Sequence, residues 1–110
     1  MLTRDQILGA RDFETKTIDV PEWGGEVLVR SLSGRSRDQL EAKYMAGELV
    51  GLKAFVVASC VCDEDGVLVF SAEDIEALHG RSASAIERVF EAAFSVSGLS
   101  PGAVQDAEGN

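Results

Sequence analysis

The longest apolar stretch of this 110-residue chain runs from Leu49 to Cys62, with the sequence LVGLKAFVVASCVC, and Lys53 and Ser59 are its only polar interruptions. A segment that is apolar on every side has to be buried on every side, so the rest of the chain must pack around it. Phe55-Val56-Val57 and Val61 would also suit a strand, but the length of the run favours a helix. The sequence therefore predicts a small domain with one central buried helix.

A β-hairpin is predicted before this run. The segments Thr15 to Val20 and Glu26 to Leu32 are rich in β-forming residues, and PEWGG lies between them. Pro21 cannot donate to a strand ladder, and Gly24 and Gly25 can both take positive φ, so five residues suffice to reverse the chain. The hairpin is expected to span about residues 15–32.

Four capping signals predict the helices. Thr3 opens a short helix with Ile7 and Leu8 facing inward, and Ser36 caps a helix from Arg37 to about Ala46. Ser71 caps a helix from Ala72 to His79, which is expected to end at Gly80 as its C′ residue. Ser82 begins the best-patterned helix, whose apolar stripe is expected to cover the central run and consists of Ile86, Val89, Phe90, Ala93, Phe94 and Ser97.

Together these signals predict an α+β fold, in which an N-terminal β-hairpin packs on a bundle of about four to five helices around a central buried helix. One domain is expected over residues 1–97, with its helices between about 36 and 97. Residues 98–110, GLSPGAVQDAEGN, have the glycine, proline and acidic content typical of a flexible C-terminal tail.

The net charge of −9 restricts the partners of the chain. Its ten basic residues are scattered between Arg4 and Arg88, so nothing offsets the repulsion of a phosphate backbone or an anionic lipid surface. The run at Leu49 to Cys62 is too short to span a bilayer, and MLTRDQILGA lacks the features of a signal peptide. We expect a cytosolic protein that binds neither nucleic acid nor membrane.

No set of residues predicts an enzyme, a metal site or a cofactor site. Cys60 and Cys62 would point about 200° apart on a helix, which disfavours a mutual disulfide and leaves two buried thiols. His79 is the only histidine. If Gly66 were the sixth residue of a calcium loop, the first and twelfth would be Val61 and Ala72, which cannot ligate. An acidic turn over residues 63–66 is the simpler interpretation.

Partner binding is predicted at two places. Trp23, with Gly24 and Gly25 at the hairpin tip, would either cover the edge of the core or anchor a partner, and the first role has a slight advantage. Phe90 and Phe94 have the spacing of core residues on a helix. They would become an oligomer or partner face if the domain is too thin to cover them.

The chain resembles the short tail assembly chaperones encoded by long-tailed phages and prophages. Its most specific matching stretch is VPEWGG at residues 20–25. The other matching stretches are Leu2-Thr3 with Ile7-Leu8, Val27 with Val29-Arg30, Leu32-Ser33-Gly34 before Arg37-Asp38, Asp63 to Gly66 with Phe70-Ser71, Leu99-Ser100-Pro101, and Ala107-Glu108-Gly109-Asn110.

This resemblance implies a non-enzymatic protein that coats the hydrophobic tape measure protein in the host cytoplasm and is absent from the mature virion. It also implies a longer form made by programmed ribosomal frameshifting as a partner, with the tail tube protein and a second copy of the chain as further candidates. Glu108-Gly109-Asn110 can be encoded GAG GGA AAC, which contains a slippery heptamer. The alternative is a structural virion component, such as a head-tail connector or a tail terminator.

Overall fold

The computed structural model describes residues 1–99 of the chain. These residues form five α-helices and a three-stranded antiparallel sheet, whose strands lie side by side in the order in which they occur in the sequence. This architecture confirms the predicted α+β fold with an N-terminal hairpin packed on helices. The elements follow one another as α1 (Arg4–Leu8), β1 (Thr15–Val20), β2 (Gly25–Arg30), α2 (Gly34–Met45), α3 (Leu52–Cys60), β3 (Val61–Cys62), α4 (Ile75–His79) and α5 (Ala83–Val96).

The hairpin forms where the sequence predicts it. Strands β1 and β2 pair in antiparallel register, with Ile18 opposite Val27 and Val20 opposite Gly25. The connection is a 3₁₀ turn over Pro21–Trp23, and Gly24 closes it with a φ of 76°. Of the two glycines at the hairpin tip, Gly24 alone has a positive φ, because Gly25 already pairs as the first residue of β2.

The middle of the apolar run, α3, is the predicted central buried helix, but the prediction that the helix extends over the whole run is wrong. Leu49 and Val50 are 57% and 90% exposed, because they belong to the surface loop between α2 and α3. The helix begins only after Gly51, which has a φ of 79°. At the other end, Val61 and Cys62 form β3 and pair with β2, so the backbone groups of the run are satisfied partly by the sheet.

The core lies between α3, α5 and the hairpin. Every residue of α3 from Ala54 to Cys60 is buried. Helix α5 packs against α3 and against both long strands, and its buried residues largely follow the predicted stripe, namely Ala85, Ile86, Val89, Ala92, Ala93 and Phe94. The hairpin contributes Val20 and Val29, both fully buried, to the same cluster.

The first two helices each differ from the prediction in one respect, α2 in its start and α1 in the exposure of its apolar residues. Helix α2 begins at Gly34, because the hydroxyl of Ser33, and not that of Ser36, caps it by accepting from the backbone N–H of Ser36. Helix α1 has the predicted capping box between Thr3 and Gln6. Its residues Ile7 and Leu8 nevertheless do not face inward, since they are 55% and 68% exposed. A helix of five residues is too short to hold an apolar face against the domain by itself.

Ser71 caps the α4 region as predicted, through a capping box with Asp74 that opens a 3₁₀ turn at Ala72–Asp74 before α4. Gly80 follows α4 with a φ of −82°, so the predicted C′ glycine does not use the left-handed region. Leu99 is buried in the core. Residues 100–110 of the predicted tail, including Glu108-Gly109-Asn110, lie outside the described residues, and the predicted domain boundary at residue 97 stays a prediction.

Candidate interaction groove at the hairpin tip

An open groove of about 660 Å³ lies between the hairpin tip and α4. Its volume falls within the range of pockets that hold small ligands or a few side chains of a partner. The lining is largely apolar and includes two acidic side chains and one basic side chain. It consists of Trp23, Phe70, Asp74, Glu76, Ala77, Leu78, Gly80 and Arg81.

One side of α4 forms the floor of the groove. Leu78 is 4% exposed and joins the floor to the core. Asp74 lies at the start of α4, and Arg81 follows Gly80 just beyond its end. Arg81 lies outside the helix, so acidic and basic side chains from α4 and its two flanks border the apolar residues of the groove.

Trp23 forms the opposite wall, and its neighbour Glu22 holds it there. The carboxylate Oε2 of Glu22 accepts hydrogen bonds from Ser84 Oγ at 2.7 Å and from Arg88 Nη2 at 3.2 Å, both on α5. These hydrogen bonds lower the pKa of Glu22 to about 2. The Ser84 hydroxyl has the largest effect, followed by the backbone N–H of Glu22 and the Arg88 guanidinium. Glu22 is therefore ionised at neutral pH and anchors the hairpin tip to α5.

Trp23 takes the first of the two predicted roles, since it covers an edge of the core, and its part in binding a partner stays a prediction. The indole is half-buried and packs against the core, and it also lines the groove. Gly24 and Gly25 lie at the exposed end of the hairpin, where Gly24 supplies the turn. Neither glycine lines the groove. Their predicted part in partner binding stays a prediction.

Phe90 and Phe94 lie on another side of α5. Phe94 is 5% exposed, and its ring packs on that of Phe90 with 4.4 Å between the centroids. The amine of Lys53 on α3 lies 5.4 Å from the centroid of the Phe90 ring and also pairs with Glu87. These two rings therefore face α3, and the structure does not bring them together with Trp23. A role of Phe90 in binding stays a prediction.

The sequence did not single out Phe70, Leu78 and Arg81 as site residues. Phe70 follows an extended segment that touches the sheet through a bridge between Cys62 and Leu68. It reaches the groove only because the fold brings this segment beside Trp23. The one local signal was an aromatic residue directly before the Ser71 cap, and it gives no indication of its tertiary neighbours.

The other polar candidates serve the fold. Burial raises the pKa of the Cys60 thiol to about 12 and also raises that of Cys62, although Arg30 opposes both shifts. Asp63 Oδ1 accepts hydrogen bonds from the backbone N–H groups of Asp65 and Val67, at 2.9 and 3.0 Å, which organises the acidic turn.

Among residues 1–99, no cluster of His, Cys, Asp or Glu could hold a metal ion. Within the same range, no helix has the length and hydropathy needed to cross a membrane.

A family model described as phage tail assembly chaperone matches residues 4–110. The chain belongs to the phage tail assembly chaperone family. This membership confirms the resemblance seen in the sequence, and the matched region contains the whole groove. Because the family consists of chaperones, membership fits the prediction of a non-enzymatic protein and implies that the chain works with other proteins of the phage tail.

A structure of the bacteriophage HK97 tail assembly chaperone has the same fold as this family member. The two agree with a TM-score of 0.66 and 24% sequence identity, over 84% of this chain and 94% of that chain. At this identity the similarity shows a shared fold and does not identify a shared binding site. A search of curated protein sequences finds no significant match.

Proposed function

We propose that this protein binds the hydrophobic tape measure protein of its phage and keeps it soluble while the tail assembles. The observation that carries the proposal is the open apolar groove at Trp23 in a member of the tail assembly chaperone family. Such a groove can cover apolar segments of a client that would otherwise associate with one another.

The charge of the chain suits this role. A net charge of −9 on 110 residues keeps complexes of chaperone and client apart by mutual repulsion. It also disfavours nonspecific binding to nucleic acid. The groove would therefore bind the client, and the acidic surface would keep the complexes of chaperone and client from aggregating.

The proposal includes the host cytoplasm as the place of action and a longer frameshifted form of the chain as a partner. The tail tube protein would replace the chaperone on the client when the tube forms. Sequencing the gene tests the frameshift directly: two runs of three like bases at the codons for Glu108-Gly109-Asn110, followed by an overlapping frame, are expected. Codons that break either run would contradict frameshifting at this site.

Co-expression with the tape measure protein of the same phage tests the central part of the proposal. We expect most of the tape measure protein to move from the pellet to the supernatant and to co-purify with the tagged chaperone. An unrelated acidic protein of similar size is the control, because it shows whether charge alone has this effect. A tape measure protein that stays insoluble with the chaperone present would contradict the proposal.

Purified virions provide a second test. Mass spectrometry should find the tape measure and tube proteins and no stoichiometric amount of this chain. A stoichiometric amount in the particles would instead favour the alternative of a structural virion component.

A further inference from the structure

We propose that two copies of this chain pair through the open edge of β1, so that their sheets join into one continuous antiparallel sheet. The two β1 strands run antiparallel about a two-fold axis beside Thr17. This pairing involves no tape measure protein and is therefore independent of the proposed function.

The two edges of the sheet differ. On the β3 side the chain turns back and covers the edge, because Cys62 forms a bridge with Leu68 and the N–H of Val69 donates to the carbonyl of Val61 at 3.1 Å. On the β1 side, no other strand within residues 1–99 pairs with the outer edge. In this part of the chain, β1 is therefore the open edge of the sheet.

Strand β1 offers a regular row of backbone groups to a partner. It pairs with β2 over all six of its residues, and the carbonyl of Glu14, directly before it, accepts from the N–H of Ser31 at 2.8 Å. Because the backbone groups of successive strand residues point to opposite sides, the N–H and C=O groups of Thr15, Thr17 and Asp19 point to the open edge. All three residues are exposed. The protein partner that can satisfy such a row is another extended strand.

A second copy of β1 fits this edge in a register centred on Thr17. Opposing residues must lie on the same face of the joined sheet, so a two-fold axis has to pass beside a residue that faces its own copy. With Thr17 at that place, Thr15 lies opposite Asp19 of the second copy, and Lys16 lies opposite Ile18. Opposed threonines are a favourable cross-strand pair, and no like charges face each other.

The neighbouring two-fold registers are worse. One centred on Lys16 or on Asp19 would place two like charges directly opposite each other. One centred on Ile18 would place Thr15 opposite Pro21, which has no N–H to donate. The sequence TKTIDV therefore favours the register centred on Thr17.

The side chains of β1 also suit this register. Asp19 lies directly opposite Glu26 of β2, and two carboxylates in this position repel each other. The Thr15 hydroxyl of the second copy would donate to Asp19 from its other side. On the opposite face Ile18 is only half-buried, and the aliphatic stem of Lys16 from the second copy would cover it while the amine reaches solvent.

Sedimentation of the full chain tests whether the pair forms. Two strands of this length bury less surface than the roughly 1,200–2,000 Å² of a standard interface, so we expect a weak dimer with a Kd of about 0.1 mM. Analytical ultracentrifugation should therefore show monomers at about 0.01 mM and mostly dimers at about 1 mM. A chain that stays monomeric at the higher concentration would overturn the proposal.

Thr17→Pro tests the edge. The N–H of Thr17 points away from β2, so proline removes no hydrogen bond of the fold, and edge strands accept proline in this orientation. The substitution removes the central donor of each copy, and dimerisation should weaken by at least about tenfold. Thr17→Val keeps this N–H and is the matched control, which should dimerise as the wild type does. Circular dichroism checks that both variants fold. Equal dimerisation of Thr17→Pro and the wild type would overturn the proposal.

Cysteine cross-linking determines the register without the proline variant. Thr17→Cys should form a disulfide-linked dimer under mild oxidation, because directly opposed strand residues lie within disulfide range. A mixture of Lys16→Cys and Ile18→Cys chains should also cross-link, and each of these two alone should do so far more slowly. The wild type is the control, since Cys60 and Cys62 are buried. Cross-linking of Ile18→Cys with itself, and not of Thr17→Cys, would overturn the proposed register.

Discussion

A hydrogen bond between residues far apart in sequence joins the hairpin tip to α5: the Ser84 hydroxyl donates to the Glu22 carboxylate across 2.7 Å. Trp23, the next residue, forms a wall of the groove. The position of this wall therefore depends on the contact between the hairpin tip and α5. Arg88 adds a second donor to the same carboxylate oxygen.

This contact makes stability depend on pH through Glu22. Its pKa is about 2 in the folded chain and 4.5 without these contacts, so the unfolded chain takes up the proton first as the pH falls. The contribution of Glu22 is complete above pH 4.5 and is lost as the pH falls toward 2. Glu22→Gln mimics the protonated state.

Thermal melts of the wild type and of Glu22→Gln should therefore differ most above pH 5 and converge as the pH approaches 2. A difference in Tm that stays constant across this range would show that the charge of Glu22 does not stabilise the fold.

Two valines of the apolar run, one in the core and one at the surface, provide a matched pair of substitutions. Val57 is 0% exposed and Val50 is 90% exposed. Val57→Asp should lower the free energy of unfolding by about 4 kcal/mol or more, because it buries an unpaired charge. Val50→Asp should change it by less than about 0.5 kcal/mol. Chemical denaturation followed by circular dichroism measures both, and a large loss of stability in Val50→Asp would show that the loop between α2 and α3 is packed.

The thiols should be unreactive in the folded protein. Cys60 and Cys62 are 0% and 5% exposed, and burial raises the pKa of each above its ordinary value. Little thiolate is then present at pH 8, and reagents have little access to it. Titration with a disulfide reagent should label neither thiol in the native state and both after unfolding in guanidinium. Rapid labelling of the folded chain would contradict this packing.

Arg30 should hold the N-terminal segment against the domain. Its Nη1 donates to the Gly66 carbonyl at 2.6 Å, and its guanidinium carbon lies 4.2 Å from the centroid of the Phe13 ring. Arg30→Gln removes the planar cation that serves both contacts. Trypsin should then cleave after Arg11 faster than in the wild type, with Arg35→Gln as a control on an exposed position. An unchanged cleavage rate would show that other contacts hold this segment.

The features predicted correctly from the sequence are those with local causes. The hairpin follows from two β-rich segments around PEWGG, and α5 follows from a serine cap and a regular apolar stripe. Strand β3 has no such local signal. Val61 and Cys62 leave the helical pattern because β2 offers them a partner, and that partner is more than 30 positions earlier in the chain. The exposure of Val50 likewise depends on where the connecting loop passes.

The site shows the same division. Trp23 could be singled out, because a tryptophan beside two glycines in a tight turn is exposed to contact on at least one side. The sequence could not identify Phe70, Leu78 and Arg81 as site residues, because they line the groove with Trp23 only through the packing of α4 beside the hairpin. The hydrogen bond between Ser84 and Glu22, which holds Trp23 in place beside the groove, likewise joins residues 62 positions apart in the sequence.

The most direct test of the groove is an NMR titration of the ¹⁵N-labelled full chain with overlapping 25-residue peptides that cover the tape measure protein. The predicted result is that the largest shift changes fall on the indole N–H of Trp23 and on the backbone amides from Asp74 to Arg81, which border the groove. Shift changes concentrated on α1 or on the exposed Leu49 and Val50, with Trp23 unmoved, would contradict it.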